Sequence, residues 1–262
     1  MSNTKYSVIT YNINSYEVIH PVKEKSDRAR YIMVTDDPNL KDESGTWEIV
    51  YDPTLTGTPF DKTLQVRYNP FKYTEDNIVI KIDGSVGINK SLDNLVDRFE
   101  KEDYDMSLML HPTRNTFYDE YLAWVQTRQY PVEQANSVLG FLAQAEGYPV
   151  KDYKGLAQLC FWIQRRNTLN EDINRFTYAW CKYLGAKTGV ERVDQVVASF
   201  VIQKYFNLAK IMFVDQRMYQ SDYFTWYAHN SDTPFKPMDV KQMTEPYWNN
   251  KRLHNVVRPQ DI

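Results

Sequence analysis

One acidic residue, Asp83, is the strongest candidate for chemistry in the sequence. It is followed by Gly84 and Ser85, and the three residues come directly after the apolar run Ile-Val-Ile-Lys-Ile. A carboxylate at the end of a strand can project toward a ligand, and a glycine beside it lets a diphosphate or a divalent cation approach the backbone. Asp-Gly is also a common turn dipeptide, so a plain turn after a strand is the alternative interpretation.

His229 is the natural partner for Asp83 in a metal site. It lies between the aromatic run 223–227 and the polar run Asn230-Ser231-Asp232. Mn²⁺ accepts imidazole beside carboxylate, and Mg²⁺ or Mn²⁺ can complete its shell with water and the phosphate oxygens of a substrate. The sequence therefore predicts a Mg²⁺ or Mn²⁺ site at Asp83 and His229, although a histidine with one ordinary hydrogen bond would show the same pattern.

Other polar side chains could hold a nucleoside, a phosphate or an acceptor. Asp36-Asp37 ends a second apolar run and could bind a base or ribose, or cap a turn. Arg165, and Arg192 with Asp194, could clamp phosphate or acceptor, although such charges usually face solvent. The chain has no Gly-x-Gly-x-x-Gly, no P-loop and no nucleophile elbow. The usual signatures of dinucleotide-binding enzymes, P-loop kinases and serine hydrolases are therefore absent from its sequence.

These candidates lie among runs that are typical of strands and helices. Strands are predicted over residues 6–10, 30–35, 47–51, 77–82, 105–110 and 156–164. Helices are predicted over residues 62–73 with a break at Pro70, and over 91–100, 117–128, 132–146, 170–184 and 192–207. Residues from about 234 to 262 are predicted to form an irregular tail.

The order of these elements predicts the fold class. Strands that alternate with helices favour an α/β fold with a mostly parallel, Rossmann-like sheet and helices on both faces. We expect residues 1–262 to form a single domain of this kind. Ligands bind beyond the carboxyl ends of the strands in such sheets. The polar segments 10–12, 35–37 and 83–85 should therefore meet at one edge of the sheet.

The composition favours a globular protein with a small or polar ligand. Of the 262 residues, 42% are hydrophobic and 25% are charged, and the formal net charge is -3. This balance argues against binding to duplex nucleic acid. The two cysteines, Cys160 and Cys181, indicate no disulfide framework and favour a cytoplasmic location. We expect neither a standard secretion signal nor a transmembrane segment.

A series of short motifs runs along the chain in a fixed order. Its members are Thr35-Asp36-Asp37, Arg67 with Lys72, Asp83-Gly84-Ser85, His111-Pro112-Thr113-Arg114 with Tyr118 and Glu120, Gly147-Tyr148-Pro149, Leu156, Arg165-Arg166-Asn167, Trp180 and Arg192-Val193-Asp194-Gln195. The series covers roughly residues 6–230 and resembles a family of glycosyltransferase-like domains from uncharacterised bacterial and plant proteins, which are related to GT-A enzymes. Val193 before Asp-Gln, and Ser85 in place of the second aspartate of an Asp-x-Asp, depart from the family pattern.

A second similarity lies near the C-terminus. His229-Asn230-Ser231, with Lys236-Pro237 after it, is similar to the C-terminal His and Lys-Pro of glycogenin-like retaining transferases. That similarity implies a metal ligand at His229, contact of Lys236 with the diphosphate, and retention of the anomeric configuration.

Together the resemblances imply a GT-A-like fold and the transfer of a sugar from a nucleotide-diphosphate donor, with a UDP-sugar favoured. The acceptor would be a hydroxyl of a glycan or glycoconjugate, a divalent metal would assist, and peripheral association with a membrane stays open. The donor site would comprise Thr10, Tyr11, Asp36, Arg67, Lys72, Ser85 and Lys236, with the metal at Asp83 and His229. Asp194, Glu120 or Asp119 would orient or deprotonate the acceptor, near His111, Arg114, Arg165 and Gln195.

Two other functions fit the same residues. One is a catalytically inactive module of this fold that binds a sugar or a nucleotide. The other is a different metal-dependent enzyme that acts on a phosphate or a polar lipid, in which Asp83, His111 and His229 would share one coordination sphere.

Overall fold

The computed structural model describes residues 4–147, 149–235, 245–249 and 251–262. Its strands are β1 (Tyr6–Asn12), β2 (Ala29–Thr35), β3 (Glu48–Tyr51), β4 (Ile78–Ile82), β5 (Val86–Ile88), β6 (Met106–Leu110), β7 (Ala157–Gln158), β8 (Phe161–Arg165), β9 (Ile211–Val214), β10 (Phe224–Trp226), β11 (Tyr247–Trp248) and β12 (Lys251–Arg252). Its α-helices are α1 (Pro59–Arg67), α2 (Asp93–Lys101), α3 (Phe117–Gln126), α4 (Val132–Glu146), α5 (Thr168–Thr188) and α6 (Asp194–Tyr205).

Eight strands form the central sheet, in the order β3-β2-β1-β4-β8-β6-β7, with β9 also paired to β6. The pairs β1–β2, β2–β3, β1–β4 and β6–β9 are parallel. Strands β7 and β8 run the other way, because β8 is antiparallel to β4 and β6, and β7 is antiparallel to β6. The protein therefore has an α/β fold with a mostly parallel, mixed sheet that is flanked by helices, as the sequence predicts.

The two faces of the sheet follow from the alternation of side chains along its strands. On β4, Ile78, Ile80 and Ile82 belong to one buried core, which they share with Phe99 of α2. Val79, on the opposite face, belongs to a second core beneath α1. A third core joins β6 and β8 to the helices α3 to α6. Each fully buried aliphatic side chain contributes about 1.5–3 kcal/mol to these layers.

Strand order creates a crevice between β1 and β4. The chain passes from β1 outward through β2 to β3 and then returns to the other side of β1 as β4. The connections that leave β1 and β4 therefore diverge, and this topological switch point is where ligands bind in doubly wound sheets. Tyr11 at the end of β1 and Asp83 just after β4 lie at this point.

Helix α1 begins and ends at positions that matter for the crevice. The Thr58 side chain accepts a hydrogen bond from the Asp61 main-chain N–H at 3.2 Å, and the Asp61 side chain accepts from Thr58 N–H in return. This capping box and Pro59 in the first turn fix the start of the helix. Arg67 is the last residue of α1, and its guanidinium contacts Tyr11 and Asp83 at the carboxyl edge of the sheet.

The sequence prediction is wrong in part of the second half. The single strand predicted over 156–164 is two strands, β7 and β8, interrupted at Leu159 and Cys160. A largely apolar run without glycine or proline gives little sign of this interruption. Short strands at 86–88, 211–214 and 224–226 were also not predicted, and the predicted irregular tail contains the antiparallel pair β11 and β12. Among the described residues no helix is both long and apolar enough to cross a membrane.

Candidate functional site

A cleft of about 720 Å³ opens at the carboxyl edge of the parallel strands. Its wall includes the loops after β1, β4 and β6, helix α1, the start of α6, the connection between β7 and β8, and parts of the chain after α3 and around β10. Of the residues predicted to act in catalysis or binding, the cleft brings together Tyr11, Arg67, Asp83, Ser85, His111, Arg114, Asp194, Gln195 and His229. These residues come from separate parts of the chain, and the sheet topology explains why they meet.

Three predicted donor residues lie away from the cleft. Thr10 is 1% exposed within β1, so it belongs to the packed sheet. Asp36 accepts hydrogen bonds from Lys62 Nζ at 2.6 Å and from Asn14 N–H at 2.7 Å, at the end of β2. Lys72 is paired with Asp52 in a second cavity of about 830 Å³ on the flank of the sheet. That cavity is lined mainly by residues 65–73 and by helix α5.

The other predicted residues outside the cleft have evident structural partners. Asp119 caps α3, since its carboxylate accepts from Thr116 N–H at 2.7 Å and Asn115 N–H at 2.8 Å. Arg165 lies at the opposite edge of the sheet, because it pairs with Ile78 at the start of β4. Lys236 lies outside the described residues.

At the centre of the cleft, Arg67 contacts three other predicted residues, Tyr11, Asp83 and Asp194. We call these four residues the Arg67 cluster. Arg67 Nη2 donates to Tyr11 Oη at 2.6 Å and to Asp83 Oδ1 at 2.8 Å, while Nη1 donates to Asp194 Oδ2. The Tyr11 hydroxyl also donates to Asp83 Oδ1, at 2.5 Å. Burial alone would lower the pKa of Arg67, but Tyr11, Asp83 and Asp194 raise it well above its usual value.

Main-chain contacts hold this cluster in place. Lys81 is buried and donates to the main-chain carbonyl of Arg67 at 3.0 Å. Asp83 N–H donates to the carbonyl of Cys160 at 3.0 Å, which ties the end of β4 to the start of β8. A β-carbon on Gly84 would lie 2.8 Å from the Tyr11 carbonyl oxygen. The glycine of the Asp-Gly-Ser segment is therefore required for the close approach of β4 to β1.

His229 lies at the outer rim and pairs with Glu17. Its Nδ1 is 2.6 Å from Glu17 Oε1, and the N–H of Asn230 donates to Glu17 Oε2 at 3.0 Å. Asn12 holds the Glu17 backbone through two hydrogen bonds of 2.8 and 3.0 Å. The hydrogen bond to Glu17 raises the pKa of His229 above its usual value.

Three further arginines line the cleft, and we call them the arginine trio: Arg114, Arg128 and Arg192. Arg114 follows β6, Arg128 follows α3, and Arg192 precedes α6. Glu120, whose side chain is 1% exposed, pairs with Arg114 and accepts from Arg128 Nη1 at 3.1 Å. Because it lies behind these arginines, Glu120 holds them toward the cleft.

His111 supports the same part of the cleft. The main-chain N–H groups of Thr113 and Arg114 donate to its Nδ1 at 3.2 and 3.1 Å, and Arg114 Nε lies 2.9 Å from its Nε2. Burial, with the charges of Arg114 and Arg128, lowers the pKa of His111 well below its usual range. A neutral ring at this position shapes the loop that carries Arg114.

The residues that were predicted to bind a metal ion already have partners among the other side chains of the cleft. Asp83 Oδ1 already accepts from Arg67 and Tyr11, and Nδ1 of His229 is paired with Glu17. His111 is engaged by Arg114. Among the described residues, no group of three or more His, Cys, Asp or Glu side chains is arranged to hold a metal ion.

Sequence reasoning missed several residues that line the cleft. Glu17 and Arg128 both make ion pairs there, and Tyr16, Phe60 and Trp226 supply aromatic surface. Glu17 and Tyr16 could have been found, because they occur shortly after β1 on the predicted rim. Arg128 carries no signal in the sequence, since only the packing of α3 directs it to the cleft.

Comparison with models of known protein families gives no match for this chain. Comparison with curated proteins gives no match either.

Proposed function

We propose that the protein is a GT-A-like glycosyltransferase that uses a nucleotide-sugar donor, with UDP-sugars favoured, and a hydroxyl acceptor. One observation carries the proposal: the crevice at the β1/β4 switch point brings together Tyr11, Asp83 and Asp194 with four arginines. A crevice at this point of a doubly wound sheet is a usual place for a nucleotide.

The chemistry of transfer matches the charges of the cleft. Negative charge develops on the diphosphate as the bond to the sugar breaks, and preorganised cationic groups stabilise it. Arg114, Arg128 and Arg192 can supply that charge from one wall. Tyr16, Phe60 and Trp226 offer aromatic faces for a base or a sugar ring.

Asp194 is the residue that we propose for orienting or deprotonating the acceptor hydroxyl. It lines the cleft, and Arg67 fixes its carboxylate through an ion pair. A positioned carboxylate can accept a proton as the acceptor oxygen attacks. Glu120, the predicted alternative, is buried behind two arginines, and Asp119 caps a helix.

The experiment is a thermal-shift panel with UDP, GDP, CDP and their sugar conjugates, in EDTA and in Mn²⁺. A ligand that binds only the native state raises the melting temperature by mass action. At a ligand concentration of 100 times Kd, the native state is stabilised by about 2.7 kcal/mol. We expect a shift with one nucleotide that is reduced in Arg192→Gln, because Arg192 lines the cleft. Arg175→Gln, on an exposed arginine of α5, is the matched control. No shift with any nucleotide would contradict the proposal.

An inactive nucleotide-binding module is the second candidate, favoured by one observation. Both Asp83 and Asp194 are paired with the same arginine, so neither carboxylate is a free base in this state. A rise in melting temperature with a nucleotide, without release of nucleoside diphosphate from any nucleotide sugar, would favour this module. The metal-dependent alternative has less support, because His111 and His229 are engaged by different partners.

We further propose a cytoplasmic location and single-domain organisation, as predicted from the sequence. Cys160 and Cys181 are both buried and free, which is compatible with a reducing compartment. Divalent-metal assistance stays a prediction, and the two arms of the thermal-shift panel test it.

A further inference from the structure

The arginine trio differs from ordinary surface arginines in three respects. All three members line the same cleft although they follow or precede different elements of the fold. They are linked, since Arg128 Nη1 contacts both Glu120 and the main-chain carbonyl of Arg192, at 3.1 and 3.3 Å. Two of them, Arg114 and Arg128, also share one buried counter-ion, Glu120.

The trio carries a surplus of positive charge. Among the described residues, Glu120 is the only carboxylate that pairs with it, so three guanidinium groups and one carboxylate leave two positive charges. Arg192 makes no ion pair with a described carboxylate, and its guanidinium lies 5.9 Å from the Phe60 ring centroid. Such a surplus in a cleft attracts an anion with about two negative charges.

The rest of the cleft has no comparable surplus of positive charge among the described residues. Arg67 pairs with both Asp83 and Asp194, so two carboxylates face one guanidinium group there. Glu17 sits beside His229 at the rim. A phosphate at that side would meet carboxylates, whereas on the trio side it would meet guanidinium groups that bind phosphate oxygens in pairs.

We propose that Arg114, Arg128 and Arg192 form a diphosphate-binding site that works without a resident divalent cation. This inference deepens the proposed function and rests on it for the source of the ligand, the diphosphate of a nucleotide donor. Glu120 is a positioning residue, since it holds two of the guanidinium groups. The trio balances the negative charge of the diphosphate, which is the role predicted from the sequence for a metal ion at Asp83 and His229.

Isothermal titration calorimetry with inorganic pyrophosphate, UDP and uridine tests the site. Each ligand is titrated in EDTA and in Mn²⁺ against wild type, Arg128→Gln and Arg192→Gln. Arg175→Gln is the matched control, because Arg175 is an exposed arginine of α5 with one ion pair, to Asp172. Melting temperatures of all variants show whether each one folds.

We expect UDP and pyrophosphate to bind in EDTA and uridine to bind much more weakly. Arg128→Gln and Arg192→Gln should each weaken UDP binding about 10-fold or more, because each variant loses charged hydrogen bonds to the phosphate oxygens. Arg175→Gln should bind as wild type does. Affinity should also fall as salt concentration rises.

Three results would overturn the inference: binding only in the presence of Mn²⁺, equal affinities in the trio variants and wild type, or no binding of either anion. The first two leave the glycosyltransferase proposal standing, because UDP still binds. Conversely, trio-dependent binding of pyrophosphate without turnover of any nucleotide sugar would support the anion site and contradict the transferase.

Discussion

The cleft contains two arginine-centred regions that differ in how their charge is balanced. In the Arg67 cluster, one guanidinium is surrounded by Asp83, Asp194 and the Tyr11 hydroxyl. In the arginine trio, one carboxylate, Glu120, serves Arg114 and Arg128, while Arg192 extends toward the cleft. A compensated charge stabilises the native state, whereas a surplus charge is available to a ligand. The first region should therefore govern folding and the second should govern anion affinity.

The largest expected effect is on stability, in Arg67→Met. Arg67 is 8% exposed, and its loss would leave two carboxylates close together and partly buried without their partner. Removing one member of a buried ion pair costs about 3–5 kcal/mol. Urea denaturation measures the change in the free energy of unfolding. Arg192→Gln, from the trio, is the comparison and should change stability by about 0.5 kcal/mol or less. Equal losses in both variants would remove the distinction between the two regions.

The next effect concerns the backbone beneath the Arg67 cluster. In Gly84→Ala, the new β-carbon would lie 2.8 Å from the Tyr11 carbonyl oxygen and 3.0 Å from Glu17 Cγ. Such crowding should destabilise the protein by about 1–3 kcal/mol, because β4 must move away from β1. Chemical denaturation measures this loss.

Gly140→Ala provides the control for that substitution. Gly140 lies in α4, and a β-carbon there would have nothing within 4 Å. Alanine should therefore stabilise the helix by about 0.5–1 kcal/mol. Opposite signs for the two variants are expected, and a neutral Gly84→Ala would show that the strands are not constrained at this point.

The smallest effect is the pH dependence of the rim contact. The raised pKa of His229 means that its pairing with Glu17 contributes stability below the unfolded-state pKa of about 6.5. That contribution is lost as pH rises through the higher folded-state pKa. Because His229 is 56% exposed, we expect less than about 1 kcal/mol. Melting temperatures of wild type and His229→Gln should differ at pH 6 and converge above pH 8. A constant difference across this range would contradict the ion pair.

The sequence predicted the edge of the sheet at which the candidate residues meet. Short apolar runs followed by polar residues located β1, β2 and β4, and parallel strands place their carboxyl ends together. This rule correctly grouped Tyr11 with Asp83, which share a hydrogen bond of 2.5 Å.

Partners that depend on packing between distant segments could not be predicted. Glu17 and His229 are separated by 212 residues, and neither local spacing nor composition links them. Lys72 was assigned to the diphosphate from its place in a motif, but the turn after α1 directs it to Asp52 instead. The antiparallel direction of β8 relative to β4 could not be predicted either, because a buried strand is largely apolar whichever way it runs.

The most direct test of the account is a crystal structure of the protein with UDP, grown without divalent cations. We predict the nucleoside at the β1/β4 switch point beside Tyr11 and the diphosphate within hydrogen-bonding distance of Arg128 and Arg192. UDP in the second cavity beside Lys72 and Arg166, or a diphosphate on Asp83 that requires an added metal ion, would contradict the account.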